Sequence, residues 1–118
     1  MTTSFRSELM RGSLDLMILS VLSDAPKYGY LIQQNLREAS AGKVDPKAGT
    51  LYPLLHRLEA DGLIKSRWEM ETGRRRKWYE LTAKGKRKLQ SQAREWFELA
   101  GCLENLLKPV LKLSPELT

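Results

Sequence analysis

Between Asp45 and Leu81 the chain switches within a few residues from helical to alternating hydrophobic spacing, and cations crowd its second half. Leu51, Leu54, Leu55 and Leu58 fall at i, i+3, i+4 and i+7, the stripe of a helix buried along one face. Asp61-Gly62 stops it, with a glycine suited to the left-handed position after a helix C-terminus. Ile64, Ser66, Trp68 and Met70 then alternate with Lys65, Arg67 and Glu69, which predicts a strand with one buried and one wet face. Thr72-Gly73 supplies a turn, and on the return strand Tyr79 and Leu81 point inward while Trp78 and Glu80 point outward. Arg74, Arg75, Arg76 and Lys77 crowd the exit of that turn. A helix followed by a basic hairpin suits a nucleic acid, with the helix in a groove and the hairpin on the flanking phosphates.

The start of the helix is set by competing signals. Asp45-Pro46 is a good N-cap and N1 pair, so the helix is predicted from Pro46 to Ala60, kinked where Pro53 lacks the N–H that Gly49 would need. The alternative is a regular helix from Gly49-Thr50 that keeps Pro53 in the donor-free first turn. In both, Lys47, Thr50 and Tyr52 sit around the N-terminal end, off the leucine face, with His56 further along. These are the candidate base-reading residues, while Lys65 and Arg74 to Lys77 are the candidate phosphate contacts. Tyr52 can equally be a packing residue that leaves only its hydroxyl exposed.

The flanking segments complete an architecture. Met10, Leu14, Met17, Ile18, Val21 and Leu22 recur at helical spacing, predicting a core helix from Ser7 to Ser23 stopped by Asp24-Ala25-Pro26. Tyr28, Leu31, Ile32 and Leu36 mark a second helix from Tyr28 to Ala39, and Gly29 near its start points to close backbone packing. Thr82 caps a long helix beginning at Ala83. Within it Leu89, Ala93, Trp96, Ala100, Leu103, Leu107 and Val110 alternate steps of four and three, a heptad-like seam. So long a stripe has no obvious partner inside so small a chain, and the same helix of a second copy would cover it, giving a twofold homodimer. Pro109 should end the helix near Lys108. The expected fold is α+β and mostly α. A winged helix-turn-helix of three helices and a two-stranded antiparallel wing spans residues 6–82, a dimerisation helix spans 83–108, and 109–118 form a poorly ordered tail.

Charge narrows the function. Lys65 to Lys88 hold ten basic and three acidic residues, a local charge of +7 in a chain of net +6, so the remainder carries −1. Solvated surfaces tend to mix signs, and Arg74 to Lys77 does not. A single cysteine, Cys102, and a single histidine, His56, provide neither a disulfide nor a zinc set nor a nucleophile–base pair. No enzyme, cofactor or metal is expected. The apolar runs are too short to span a bilayer and no secretory pattern opens the chain, so a cytoplasmic protein is expected. The competing reading is a basic module for RNA or anionic surfaces; RNA binders expose aromatics for stacking, and here Trp78 alone is placed on an outer sheet face.

Five separated segments resemble, in order and spacing, the PadR family of bacterial transcriptional regulators, over about Arg6 to Leu107: Arg11 to Leu19, Tyr28-Gly29-Tyr30-Leu31, Gly49 to Glu59, Asp61-Gly62-Leu63-Ile64, and Arg75 to Thr82. The resemblance implies a winged-helix DNA-binding domain with a C-terminal dimerisation helix. It also implies a repressor that leaves its double-stranded operator when an aromatic or hydrophobic inducer binds. The short single C-terminal helix is similar to that of the smaller PadR subfamily. There Trp96 would match a tryptophan facing its symmetry mate across a pore that holds planar drugs, with Ala93, Phe97 and Ala100 beside it. Trp96 can instead be a seam residue that simply fills the interface.

Overall fold

The computed structural model describes residues 5–112, with side chains described from Ser13 onward. Met10 and the chain end beyond Lys112 therefore lie outside the described parts. Helix α1 (Phe5–Val21) and the core behind it start the fold, two residues earlier at each end than the periodicity predicts. Ile18, Leu19 and Leu22 are buried against Ile32 and Leu36 of α2 (Gly29–Ala39) and Leu51, Leu55 and Leu58 of α3 (Ala48–Ala60). Lys27 is only 6% exposed, yet its ammonium donates to the Val21 carbonyl at 2.9 Å and pairs with Asp24. A cation thus closes the C-terminal end of α1, where the helix dipole favours it.

Lys27 and Tyr28 form a short strand β1, so the second helix starts at Gly29 and the two-stranded wing has a third strand beside it in the sheet. The wing strands are β2 (Ile64–Glu71) and β3 (Arg74–Leu81), paired antiparallel from Ile64↔Leu81 to Glu71↔Arg74. β1 adds to the free edge of β3, with Lys27 opposite Tyr79 and Tyr28 opposite Trp78, so the sheet has three strands in the order β1-β3-β2. Two residues are too few for an alternation to register in sequence. The loop Thr72-Gly73 has positive φ at both positions, +45° and +75°, as a type I′ hairpin turn demands.

Helix α3 begins at Ala48 with Lys47 as its cap residue, whose carbonyl accepts from Thr50 and Leu51 at 2.9 and 2.8 Å. The predicted Asp45-Pro46 start fails because the Asp45 carboxylate is engaged elsewhere, accepting from Gln33 at 3.1 Å and Lys47 at 2.8 Å. Nor does Pro53 sit in the first turn: it is inside the helix, where its missing N–H leaves the Gly49 carbonyl without the usual donor. The far end follows the sequence rule. Gly62 takes φ +76°, its N–H reaches the Glu59 carbonyl and Leu63 N–H the Leu58 carbonyl, both at 3.0 Å, the paired closure of a Schellman motif.

Helix α4 (Ala83–Leu107) is capped by Thr82, whose hydroxyl accepts from Gly85 N–H at 3.0 Å. The same hydroxyl donates to the Gly62 carbonyl at 2.6 Å, and Lys84 Nζ to the Asp61 carbonyl at 2.8 Å, so the start of α4 is tied to the α3–β2 turn. The α-helix ends at Leu107, as expected from Pro109, and the chain continues as a 3-10 helix from Lys108 to Lys112.

Candidate nucleic-acid interface

The N-terminal half of α3 and the wing converge on one side of the fold. Ser66 Oγ donates to the Glu59 carboxylate at 2.6 Å, locking the base of β2 to the end of α3. Cross-strand pairing puts Ser66, Trp68 and Met70 of β2 on the same sheet face as Tyr79, Lys77 and Arg75 of β3, and Ser66 ties that face to α3. Between helix and wing lies a groove of about 400 Å³, with Tyr52 and His56 on the helix side and Trp68, Arg75, Arg76, Lys77 and Tyr79 on the wing side. Tyr28, Gly29 and Tyr30 close one end. Burial raises the Tyr79 hydroxyl above the ordinary tyrosine range, and nearby Tyr52 and Glu59 push the same way, so it remains neutral at physiological pH.

Five of the nine candidate DNA contacts line this groove: Tyr52, His56, Arg75, Arg76 and Lys77. Lys47 and Thr50 are exposed at the start of α3, and Arg74 is exposed at the turn. Lys65 is not brought to the cluster. It sits on the opposite sheet face, cross-strand from Glu80, whose carboxylate lies 3.7 Å from its ammonium. Tyr52 combines the two roles open to it, being 40% exposed while its ring packs on Gly29.

The four wing cations differ electrostatically from Lys47, Lys65 and Arg67. Lys47 is paired with Asp45, Lys65 with Glu80, and Arg67 with both Glu69 and Glu80. The hydrogen bond that the Arg67 guanidinium donates to the Glu69 carboxylate raises it above its ordinary value, with Glu80 adding a smaller push. Among the described residues, no carboxylate lies within ion-pair distance of Arg74, Arg75, Arg76 or Lys77. Aromatic rings take that place: the Arg75 guanidinium is 4.4 Å from the Trp68 ring centre and Arg76 is 4.4 Å from that of Tyr28.

Trp68 and Met70 correct the sequence reading. Both share the predicted inward face, yet Trp68 is 54% exposed and Met70 more so, because that face is buried only near the base of the wing. Trp78, placed outward, is half-buried and meets Tyr28 edge to face at 5.1 Å. Trp68 is therefore a site residue missed in the sequence. Counting outward from the two-residue turn would have set it opposite Lys77.

The far half of α4 is bare. Leu89 packs on the chain's own core, but Trp96, Phe97, Leu99, Leu103, Leu106 and Leu107 are exposed. Trp96 lines a hollow of about 280 Å³ against α1 with Asp15, Leu16, Gln92 and Leu99, whereas Ala93 and Phe97 line a separate shallow surface. The candidate ligand residues Ala93, Trp96, Phe97 and Ala100 thus share no single pocket of one chain. Asp15 also accepts from Arg57 at 2.6 Å, joining α1 to α3.

Three helices, a two-stranded wing and an adjoining groove lined by cations that have no acidic partner among the described residues are the parts of a winged-helix DNA-binding domain. The chain belongs to the PadR-like family of transcriptional regulators, whose pattern it matches over residues 18–91. It is 40% identical to the transcriptional regulator Rv3488 of Mycobacterium tuberculosis over 93 residues, 79% of this chain and 84% of that one. Among solved structures, a transcriptional regulator from Clostridium thermocellum superposes with a TM-score of 0.77 at 33% identity, covering 86% of this chain and 99% of its own. A PadR family regulator from Eggerthella lenta gives 0.76 at 36% identity, covering 87% and 88%. All three relatives are transcriptional regulators. No helix among the described residues is long and apolar enough to cross a membrane.

Proposed function

We propose that the protein is a cytoplasmic, homodimeric repressor that binds a pseudo-palindromic operator and is released by a small aromatic or hydrophobic inducer. The observation that carries DNA binding is the run Arg74 to Lys77, unpaired with acids among the described residues and set beside the exposed residues of α3. Lys47, Thr50, Tyr52 and His56 read bases, and Arg74 to Lys77 grip phosphate without reading sequence. Lys65 contributes less than its charge alone would give, since Glu80 already neutralises it.

The exposed apolar face of α4 supports the twofold dimer. Two α3 helices about 34 Å apart would then enter successive major grooves. An inducer between the long helices acts by favouring a subunit spacing that no longer fits the operator.

Fluorescence anisotropy with duplex operator across a salt series tests the DNA claim. Each wing cation that contacts phosphate should, on change to alanine, reduce the logarithmic salt slope by ~1 with little change in sequence preference. An unchanged slope for the Arg74/Arg75/Arg76 triple alanine removes the wing from the mechanism. Tighter binding to single-stranded RNA than to any duplex favours the alternative of a basic RNA module. Sedimentation of Leu103→Glu should give a monomer where the wild type is a dimer; a monomeric wild type ends the twofold scheme. Equal operator affinity with and without saturating ligand ends the inducer step.

A further inference from the structure

We propose that Trp68 is the positioning residue of the wing, holding Arg75 and Lys77 over its ring so that both cations are aimed into the groove beside α3. Trp68 lies on β2 directly across from Lys77 and diagonally from Arg75, all three on the sheet face that Ser66 ties to α3. The Arg75 guanidinium carbon is 4.4 Å from the ring centre and Lys77 Nζ 5.8 Å, both within cation–π range, and Lys77 lies between this ring and that of Tyr79, 5.7 Å away.

Core packing does not account for this tryptophan. It is more than half exposed, and it lines the groove with Tyr52 and His56 of α3. Among the described residues no carboxylate pairs with either cation, so the ring supports them without neutralising their charge. A long arginine free in water loses rotamer entropy when it meets a phosphate; a guanidinium already resting on an indole loses less.

The neighbouring cation shows the same device on the opposite face. Arg76 alternates to the other side of β3, yet borders the same groove at its Tyr28 end and rests on Tyr28, which is itself braced edge to face by Trp78. Three successive cations therefore each have an aromatic support, and among the described residues Arg74 at the turn has none.

The inference rests on duplex DNA being the partner of the wing. Its test is a double-mutant cycle on full-length protein with duplex operator, comparing W68F, which keeps a π face, with W68L, which keeps only apolar bulk. W68L should weaken binding about two- to fivefold, the span of an exposed cation–π contact. W68F should stay closer to the wild type, and W68L should add nothing in an R75A/K77A background. In the free protein, the Arg75 side-chain proton resonances should lie upfield in wild type and W68F and lose that ring-current shift in W68L. Unchanged affinity for W68L overturns the positioning role, as does an equal W68L loss without Arg75 and Lys77. A wild type that binds no duplex overturns the DNA reading, and the resonance shift then still reports whether Trp68 holds Arg75.

Discussion

The ring of Tyr52 lies on Gly29, so close that a Cβ at position 29 would collide with the phenol oxygen and come 2.8 Å from Cζ. The first residue of α2 thus seats an aromatic of α3 at the edge of the groove. The colliding atoms are the far end of a side chain that can swing aside, so Gly29→Ala should barely change stability, its clash offset by the better helix propensity of alanine. Tyr52 would move, however, and operator affinity should fall. Paired denaturation and anisotropy measurements check this; a large stability loss would mean that Tyr52 cannot move.

Gly85 presents the opposite situation. A Cβ there would run into the Leu63 carbonyl, with the carbonyl carbon 2.9 Å away, and that oxygen also accepts from Thr82 N–H. Backbone tied into a sheet and a helix cap cannot swing aside. Gly85→Ala should therefore destabilise by about 1–3 kcal/mol, more than the gain of up to about 1 kcal/mol from helix propensity. Urea midpoints decide it, with Gly49→Ala, where a Cβ meets nothing within 4 Å, as the control.

Thr72 holds φ +45° at the wing turn, a conformation that crowds a β-branched side chain. The strain is on the order of 1 kcal/mol, and asparagine before glycine is the preferred pair for this turn. Thr72→Asn should raise the melting temperature without lowering operator affinity. A lower melting temperature would show that the threonine side chain makes a contact worth more than the strain.

Two carboxylates contribute a small, acid-sensitive part of the stability. The hydrogen bond from Lys27 holds Asp24 below the ordinary value of 3.8, and that from Lys47 does the same for Asp45. Each folded-state carboxyl takes up a proton less readily than in the unfolded chain, so its contribution is complete above the ordinary value and is lost as pH falls through the folded one. Asp24 is exposed and Asp45 half-buried beside an exposed lysine, so the effect is small. The urea midpoint of the Asp24→Asn/Asp45→Asn double variant should lie below that of the wild type at pH 6 and converge with it on acidification. A gap that persists at low pH would show that ionisation is not its source.

The readings that survived folding are those governed by a few consecutive residues. The leucine stripe of α3 and the glycine at its end follow from helical geometry, and the Thr82 cap from one orphan N–H three residues on. The Thr72-Gly73 loop sets the wing register by its length. The readings that failed depend on partners far along the chain. Asp45 looked like a cap until Gln33 and Lys47 claimed its carboxylate, and Tyr28 looked helical until β3 offered a strand edge. Trp68 was assigned the correct face, but alternation cannot say how far the covering body extends.

The sequence alone determined the order of helices, turn and wing and the concentration of charge on the wing, because spacing and local hydrogen bonding are short-range. Only the tertiary structure decided which cations keep their charge unpaired, which aromatics stay in solvent to support them, and which glycine can yield. Those outcomes depend on what other segments bring within a few ångströms. Pairing across the fold, unlike periodicity, leaves no mark in any one stretch of residues.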